Sequence, residues 1–299
     1  MLLVKAFVGT TTWIWGSEVG LSVLKVSQPP FVESQISFLN EEWRHLDEVP
    51  RIYSRSSRLE NTSMHDVAIH NARLRDDLDL DGPGFVLVEH DSSVRDFRNK
   101  QTVMDVYFPE MKALILELTG AEAAYPVQFY QVRSHDPEHF FDAYSLYMHC
   151  DFSPNSWPKL GQSMIKSVDE TCQYDEAEWD FALYNLWRPV GGEVQKDPLV
   201  LIDASTVDRE DIVDYSAVKD NDKARAAVPL YNPNQKYFYV PNMQTDEVLV
   251  FKQMDSRADL ALVCPHTSFT DPTSQPDAKE RESIDIRFVC VFPKTSDII

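Results

Sequence analysis

The feature that most constrains the fold is a succession of short apolar runs in the second half of the chain. Each run has the length and the branched and aromatic content of a β-strand, and Pro, Asn or Asp residues separate one run from the next. The runs occupy residues 125–134, 140–152, 179–190, 197–206, 235–243, 246–256, 260–269 and 283–292. Many short strands joined by turns are typical of a β-sandwich or a β-barrel.

Helices are predicted mainly in the first half of the chain. Residues 33–47 carry apolar residues at helical spacing and predict an amphipathic helix, and residues 103–120 predict a helix that ends at a glycine. A buried strand is predicted at residues 84–90, after the turn DGPG, and one further helix near residues 158–172. We therefore expect a mainly β protein with flanking helices, whose core is a double-stranded β-helix, or jelly roll.

Composition limits the class of protein. The 299 residues carry a net charge of −20, which disfavours long-range attraction to nucleic acid or to anionic membranes. No apolar run approaches the roughly 18 residues of a membrane span. The four cysteines show neither a CxxC pair nor a zinc spacing, and their apolar surroundings suit reduced thiols in an intracellular protein. The oligomeric state stays open, and we expect a cytoplasmic protein that acts on a small molecule and binds neither nucleic acid nor membrane.

His149 and Asp151 form the pattern His-x-Asp at the end of one predicted strand. With 8 histidines and 48 acidic residues in the chain, roughly one such pair is expected by chance, so the pattern alone is weak. A second pair, His45 and Asp47, lies in a predicted helix, where side chains two apart point in different directions. On a strand, residues two apart share a face and could bind one ion. His266, which ends another predicted strand, is the candidate for a third ligand.

The two histidines and the carboxylate correspond to the facial triad of non-haem Fe(II) oxygenases, which leaves coordination positions open. Such iron commonly uses 2-oxoglutarate with O2, and the distal carboxylate of 2-oxoglutarate requires a buried arginine. Arg281, Ser283 and Arg287 share one face of a predicted strand, and Arg281 and Ser283 have the Arg-x-Ser form in which both groups can bind one carboxylate. Arg188, on another apolar strand, is a third arginine candidate. The alternative is that one arginine pairs only with Asp285.

Several blocks of the sequence carry a resemblance to a known family. The specific blocks are NLWRP (185–189) and DEVLVFKQMDS (246–256), together with CPHTSF (264–269) and RESIDIR (281–287). In this order, after the His-x-Asp pair, they resemble the fungal hydroxylase/desaturase family, which includes gibberellin-desaturase-like and cephem-methoxylase-related proteins. The likeness runs from about Asn71 to the C-terminus and so covers most of the chain.

The resemblance implies a fold, a set of cofactors and a class of reaction. The fold is a double-stranded β-helix, and the cofactors are Fe(II), 2-oxoglutarate and O2. The reaction is hydroxylation, desaturation or oxidative ring closure of a small natural product or amino-acid-derived substrate in secondary metabolism. The resemblance also carries over His149, Asp151 and His266 as iron ligands.

The expected domain organisation follows from the match and from the predicted elements. Residues 1–30 match the family poorly. Residues 31–120 are expected to form a mostly helical flank, and residues 121–299 the jelly-roll oxygenase core. We expect a single domain over residues 1–299.

Side chains near the predicted iron site are candidates for the substrate pocket. A segment that departs from the family pattern as we expect it is predicted to face the substrate, and nearby aromatic residues are candidates for the pocket walls. The candidates are Arg133, Tyr130, Gln131, Tyr147 and Trp187. For any one aromatic ring, plain packing in the core is the favoured interpretation.

Two other functions are compatible with parts of this pattern. A cupin-like iron dioxygenase or isomerase would use the same triad without 2-oxoglutarate, and it would need no carboxylate-binding arginine such as Arg281 or Arg287. A non-catalytic β-sandwich binding protein would have lost the triad, whereas His149, Asp151 and His266 are all present. The prediction is therefore an Fe(II)/2-oxoglutarate-dependent oxygenase, with the choice among its reactions left open.

Overall fold

The structure, a computed structural model, resolves the chain into two units, residues 1–30 and residues 31–299. It describes residues 10–15, 18–23, 29–127, 130–134, 144–217 and 225–294. In the first unit, β1 (Thr10–Trp15) and β2 (Glu18–Val23) pair as an antiparallel hairpin. The elements described below belong to the second unit.

Five strands of the larger unit form the first of two sheets, called sheet I here. They are β3 (Phe31–Leu39), β4 (Thr62–Asn71), β9 (Leu199–Ile202), β12 (Tyr237–Tyr239) and β14 (His266–Ser268). Their order across the sheet is β14–β9–β12–β4–β3. The β12–β4 pair is parallel and the other three pairs are antiparallel.

Six strands form the second sheet, called sheet II here. They are β5 (Phe85–Glu89), β6 (Ala123–Pro126), β7 (Gln131–Ser134), β8 (Trp179–Pro189), β13 (Glu247–Asp255) and β15 (Glu282–Pro293). Their order is β5–β13–β8–β15–β6, and β7 also pairs with β15. All of these pairs are antiparallel. A separate antiparallel pair joins β10 (Ile212–Ser216) to β11 (Arg225–Pro229).

The core between the sheets follows from the alternation of side chains along the strands. Leu201 and Phe238 of sheet I form one buried cluster with Leu249 and Phe251 of sheet II. Residues one position away, such as Val250, pack instead in a cluster on the other face of sheet II. Since successive side chains point to opposite faces of a strand, sheet II has one face toward sheet I and one toward the helices.

The helices are few and short. They are α1 (Arg55–Asn61), α2 (Lys100–Thr102), α3 (Phe108–Thr119) and α4 (Lys159–Val168), with 3-10 turns at Glu41–His45, Ala72–Leu74, Pro154–Ser156, Ala204–Thr206 and Arg209–Asp211. A π-helical turn, Val103–Tyr107, joins α2 to α3. Within the described ranges, no helix has the length and apolar character needed to cross a bilayer.

Helix α3 covers the outer face of sheet II. Its residues Phe108, Met111 and Ile115 are buried in the cluster that also contains Phe288 of β15, and the rings of Phe108 and Phe288 lie 6.0 Å apart between centroids. The helix ends at Gly120, which has the left-handed φ of 64° common at helix C-termini. The predicted helix ending at a glycine is confirmed.

The mainly β character is confirmed, and most predicted strand runs contain a strand. Run 125–134 contains β6 and β7, and each run from residue 179 onward contains one of β8, β9, β12, β13, β14 and β15. In run 140–152, residues 140–143 lie outside the described residues, and His149 and Cys150 form single β-bridges. The predicted strand at 84–90 and the predicted helix near 158–172 correspond to β5 and α4.

The prediction of a helix at residues 33–47 is wrong. Strand β3 occupies the first half of this segment, up to Leu39, and pairs along its whole length with β4; the short 3-10 turn Glu41–His45 follows. Ile36 and Phe38 are buried at a spacing of two, while Ile36, Leu39 and Trp43 also fit helical spacing. A short apolar run of this kind satisfies both periods, and pairing with a neighbouring strand decides between them.

Residues 31–120 are therefore not a mostly helical flank. They supply β3 and β4 to sheet I and β5 to sheet II, so that both sheets extend beyond the expected core at residues 121–299. Only the part from Lys100 to Thr119 is a sustained helical segment among the described residues of this flank. The helical spacing of apolar residues in 103–120 thus correctly predicts α3, but the other residues of 31–120 are not mostly helical.

Gly84, in the turn before β5, provides a test of packing in this region. It has a φ of 80°, and a Cβ added there would lie 2.7 Å from the Cys264 sulfur and 3.0 Å from the Ala204 Cβ. Gly120 has a similar φ of 64°, but nothing lies within 4 Å of its added Cβ. We expect Gly120→Ala to cost about 1–2 kcal/mol of unfolding free energy for the left-handed backbone alone. Gly84→Ala should cost roughly 2–5 kcal/mol, because steric overlap is added.

Urea unfolding of the two variants measures this difference directly. Equal losses in the two variants would contradict the close packing of Gly84 against Cys264 and Ala204.

Candidate metal centre

A backbone bridge brings the two candidate histidines together. The His149 N–H donates to the His266 carbonyl at 3.1 Å, and the His266 N–H donates to the His149 carbonyl at 2.9 Å. This antiparallel pairing sets the two side chains opposite each other, with ring centroids 4.5 Å apart. His149 thus extends the pairing beyond β14, at the edge of sheet I.

Asp151 completes the cluster from the same extended segment as His149. Between them, Cys150 pairs with Ala227 and packs in a different buried cluster, so the side chains on either side of it share the opposite direction. One Asp151 oxygen, Oδ1, lies 3.6 Å from His149 Nε2 and 3.9 Å from His266 Nε2. The candidate ligand atoms all lie within 4.8 Å of one another. Metal–ligand bonds of about 2.1 Å place ligand atoms about 3 to 4 Å apart, so these three atoms could surround one ion.

Each histidine is oriented through its other ring nitrogen. His149 Nδ1 lies 3.0 Å from the Tyr147 carbonyl and 3.2 Å from Ser145 Oγ. His266 Nδ1 lies 3.4 Å from the Cys264 carbonyl. For His149, a proton on Nδ1 that is donated to the Tyr147 carbonyl leaves the Nε2 lone pair free, which is the usual arrangement of a metal-ligating histidine.

The electrostatic environment favours a neutral His266 and a charged Asp151. Burial, together with the neighbouring His149, lowers the pKa of His266 to about 3. Burial opposes the charge on Asp151, but Arg287 and the two histidines outweigh it and hold the pKa of Asp151 well below its usual value. A neutral imidazole and a carboxylate are the forms that bind a metal ion.

The second oxygen of Asp151 is fully engaged with sheet II. Asp151 Oδ2 accepts hydrogen bonds from Arg287 Nε at 2.9 Å, from Arg287 Nη2 at 2.7 Å and from Asn185 Nδ2 at 3.0 Å. Arg287 Nη2 also donates to Asp285 Oδ2 at 2.7 Å. Burial raises the pKa of Asp285 to about 6 although Arg287 favours its charged form. Arg287 therefore lies against the candidate metal ligand itself.

A pocket opens beside the triad, between the two sheets. Besides the two histidines, its lining includes Arg133, Trp187, Phe251, Ser268, Arg281 and Asp285. Aromatic rings and a small number of polar groups line it together, as is usual for sites that bind small molecules.

Arg281 is the polar group of this pocket whose hydrogen bonds are least satisfied. It is 3% exposed, and its guanidinium carbon lies 4.1 Å from the Tyr144 ring centroid and 5.2 Å from that of Trp187. Nη2 donates to Ser268 Oγ at 3.0 Å, whereas Nε and Nη1 have no hydrogen-bond partner in the described part of the chain. The buried Ser283 hydroxyl also lacks a partner among the described residues. Burial lowers the pKa of Arg281 to about 10, so the site would favour an anion.

Arg188 lies away from this pocket. It occupies the position after Trp187 on β8 and therefore points to the other face of sheet II. There Nη2 donates to the carbonyls of His90 and Thr245, each at 2.6 Å, and the guanidinium carbon lies 5.7 Å from the Tyr107 ring centroid.

The predicted pocket residues divide between the pocket and its surroundings. Arg133 and Trp187 line the pocket. Gln131 accepts a hydrogen bond from Arg133, and Tyr147 has its ring 5.4 Å from that of His149. Tyr130 packs instead against α3, with its ring 5.9 Å from that of Phe108.

Two polar residues of the site carry roles that sequence reasoning missed. Asn185 lies two positions before Trp187 on β8 and directly opposite Arg287 on β15, so the period of two could have identified it. Gln253 contacts the backbone N–H of Asp151 at 3.2 Å and His266 Nδ1 at 3.3 Å. Gln253 follows Lys252 near the end of β13, and a glutamine at this position offers no comparable signal.

Comparison with known families identifies the chain. A family model described as an oxidoreductase/YMDC permease-like domain matches residues 38–291, which is well over half of the sequence. The chain belongs to this oxidoreductase family. The match spans both sheets and all three candidate metal ligands.

Curated relatives confirm the resemblance to the fungal hydroxylase/desaturases. The chain is 28% identical over 238 residues to the Fe(II)/2-oxoglutarate-dependent dioxygenase nvfI of Aspergillus novofumigatus, covering 76% of this chain and 83% of the relative. It is also 28% identical over 237 residues to the hydroxylase/desaturase efuI of Hormonema carpetanum, covering 70% of this chain and 77% of the relative.

A solved structure of a family relative shares the fold. The iron and alpha-ketoglutarate-dependent endoperoxidase NvfI superimposes with a TM-score of 0.76 at 24% identity, over 90% of this chain and 100% of that structure. Alpha-ketoglutarate is another name for 2-oxoglutarate.

The lowered pKa of His266 predicts a pH dependence of stability in the metal-free protein. In the unfolded chain a histidine titrates near pH 6.5 and then binds protons that the folded protein excludes until about pH 3. The contribution of His266 is thus fully present above pH 6.5 and is lost as the pH falls from 6.5 toward 3. Between pH 7 and pH 5, metal-free native protein should lose up to about 2 kcal/mol more unfolding free energy than His266→Gln.

Urea unfolding in the presence of a chelator, at several pH values, measures how the unfolding free energy of the native protein and of His266→Gln changes with pH. Parallel slopes for the native protein and the variant would show that His266 is protonated in the folded state.

Proposed function

We propose that the pocket beside His149, Asp151 and His266 is the active site of an Fe(II)/2-oxoglutarate-dependent oxygenase of fungal secondary metabolism. The enzyme hydroxylates, desaturates or oxidatively cyclises a small organic substrate. Support comes from the names of the curated relatives, which include Fe(II)/2-oxoglutarate-dependent dioxygenases and hydroxylase/desaturases. The observation that carries the proposal is a triad of two buried histidines and one half-buried carboxylate next to a buried arginine, Arg281, two of whose nitrogens have no partner within the described ranges.

The donor set fits ferrous iron. His149 Nε2, His266 Nε2 and Asp151 Oδ1 would hold the ion, since their partners leave these three atoms facing one another. Two imidazoles and one carboxylate on one side of an ion suit Fe(II) and leave the remaining positions for 2-oxoglutarate and O2. When bound, these cofactors supply the oxidation of a substrate C–H bond.

Arg281 and Ser283 are assigned to the distal carboxylate of 2-oxoglutarate. Nη1 of Arg281, which has no hydrogen-bond partner among the described residues, can donate to such a carboxylate. Ser283, on β15, lies two positions after Arg281 on the same face, and its hydroxyl has no partner in the part of the chain that the structure describes. Arg287 is a weaker candidate because its Nε and Nη2 already bind Asp151 and Asp285, and Arg188 faces away from the pocket.

The remaining pocket residues would orient the substrate and keep water away. Trp187 and Phe251 supply apolar walls, which also lower the local dielectric around the charged groups. Arg133 and Gln131, at the β7 side, and Tyr147, beside His149, are assigned to the substrate side. Tyr130 supports this region through its contact with α3.

We also assign the two sheets to a double-stranded β-helix. Sheet I and sheet II face each other, and the candidate ligands lie between them, at an edge of sheet I. The likeness of fold to the iron- and alpha-ketoglutarate-dependent endoperoxidase supports this assignment. A cupin-like dioxygenase or isomerase without 2-oxoglutarate would share the sheets and the triad but would leave the buried Arg281 without an anionic partner.

One prediction of this proposal concerns the binding of Fe(II) and 2-oxoglutarate in the absence of substrate. Anaerobic addition of Fe(II) and then 2-oxoglutarate to metal-free protein should produce the weak visible charge-transfer band of a keto acid chelated to iron. His149→Ala should lack the band, because one of three ligands is missing. Iron binding without a band on addition of 2-oxoglutarate would favour the cupin-like alternative, and absence of iron binding would contradict the metal centre.

Another prediction of this proposal concerns the affinity for 2-oxoglutarate when Arg281 is replaced. Arg281→Ala should raise the Kd of 2-oxoglutarate for the iron-loaded protein by roughly 10- to 100-fold, since charged hydrogen bonds contribute about 1.5–3 kcal/mol. Ser283→Ala should have a smaller effect in the same direction. Arg95→Ala, which removes an exposed arginine, is the matched control and should leave the Kd unchanged. An unchanged Kd in Arg281→Ala would reassign the carboxylate to another arginine.

A further inference from the structure

We infer that Arg287 is a positioning residue, which, together with Asn185, makes Asp151 bind the metal through one oxygen only. The inference rests on the proposed function, because it assumes that Asp151 is a metal ligand. Arg287 therefore acts on Asp151 and does not contact 2-oxoglutarate. Asn185 acts on Asp151 in the same way.

The two oxygens of Asp151 have different surroundings. Oδ2 accepts three hydrogen bonds, two from Arg287 at 2.9 and 2.7 Å and one from Asn185 at 3.0 Å. Oδ1 is the oxygen that faces both histidine Nε2 atoms, at 3.6 and 3.9 Å. With its lone pairs used by three N–H donors, Oδ2 is a poor metal ligand, so the metal is left with Oδ1.

The donors are themselves held in place by sheet II. Arg287 and Asn185 are directly opposite each other on β15 and β8, so their side chains lie on the same face. Arg287 is 3% exposed, and its Nη2 also donates to Asp285 Oδ2 at 2.7 Å. Asp285 thus limits the guanidinium to one orientation, with its Nε–Nη2 edge against Asp151.

This arrangement matters because a carboxylate can bind a metal with one oxygen or with two. Two-oxygen binding by Asp151 would occupy a position that the keto acid or O2 needs. By saturating Oδ2, Arg287 and Asn185 keep that position open. The same contacts tie the Asp151 carboxylate to sheet II, while His149 and His266 are paired at the edge of sheet I.

The experiment compares native protein with Arg287→Met, using Mn(II) as a redox-stable substitute for Fe(II). Crystal structures of the Mn(II)-loaded proteins show how many Asp151 oxygens bind the metal, and calorimetry gives the Kd of Mn(II) and, separately, of 2-oxoglutarate for the loaded protein. In native protein we expect Oδ1 alone on the metal. In Arg287→Met we expect both oxygens on the metal and a Kd of 2-oxoglutarate raised roughly 10- to 100-fold.

Further variants separate this role from other effects. Arg287→Lys restores a donor and should recover part of the 2-oxoglutarate affinity, whereas Arg281→Ala should weaken 2-oxoglutarate binding while Asp151 keeps one-oxygen coordination. If Arg287→Met fails to fold, Asn185→Ala, which removes one of the three donors, should shift the Kd in the same direction by a smaller factor.

Two results would overturn the inference, and they are distinguishable. One-oxygen coordination with an unchanged Kd of 2-oxoglutarate in Arg287→Met and Asn185→Ala would show that the donors do not control the binding mode. Failure of the native protein to bind either Mn(II) or Fe(II) would remove the proposed function and the inference with it.

Discussion

The contact between Asp151 and Arg287 is the interaction on which the site depends. A carboxylate with little access to solvent is costly unless a partner of opposite charge and enough hydrogen bonds compensate for lost hydration. Arg287 and Asn185 supply three such bonds, and Asp285 accepts a further hydrogen bond from Arg287. This network keeps Asp151 charged in the absence of metal, so a ligand in the metal-binding form is present before any ion arrives.

The architecture makes such a polar cluster compatible with a stable core. Along β15, Ile284, Ile286 and Phe288 pack on the helix side of sheet II, whereas the alternating residues from Arg281 to Arg287 face the space between the sheets. The apolar face anchors the strand, and the polar face is therefore held in register opposite β8. The metal ligands come from the other side, where the His149–His266 bridge extends the edge of sheet I.

Much of this arrangement could be predicted from the sequence, because it follows from local periods. The period of two on residues 281–287 correctly placed four polar side chains on one face. The two histidines are expected at the ends of predicted strands, whereas His149 forms a single β-bridge and His266 begins β14. Pairing partners are not local, however, so β3 looked like a helix until its pairing with β4 was known. For the same reason the sequence left Arg281 and Arg287 equivalent: they share a strand face, and only the approach of Asp151, 136 positions away from Arg287, distinguishes them.

The charges of the metal and of 2-oxoglutarate also affect each other in this buried site. In the metal-free protein, the guanidinium groups of Arg281, Arg287 and Arg133 are opposed by the carboxylates of Asp151 and Asp285, so these groups carry one excess positive charge. Fe(II) alone would add two positive charges to this low-dielectric space, and 2-oxoglutarate alone would add two negative charges. Together they would add no net charge, and Arg281 would hold the distal carboxylate of the dianion. Each is therefore expected to strengthen the binding of the other, since a coupling free energy acts equally on both ligands.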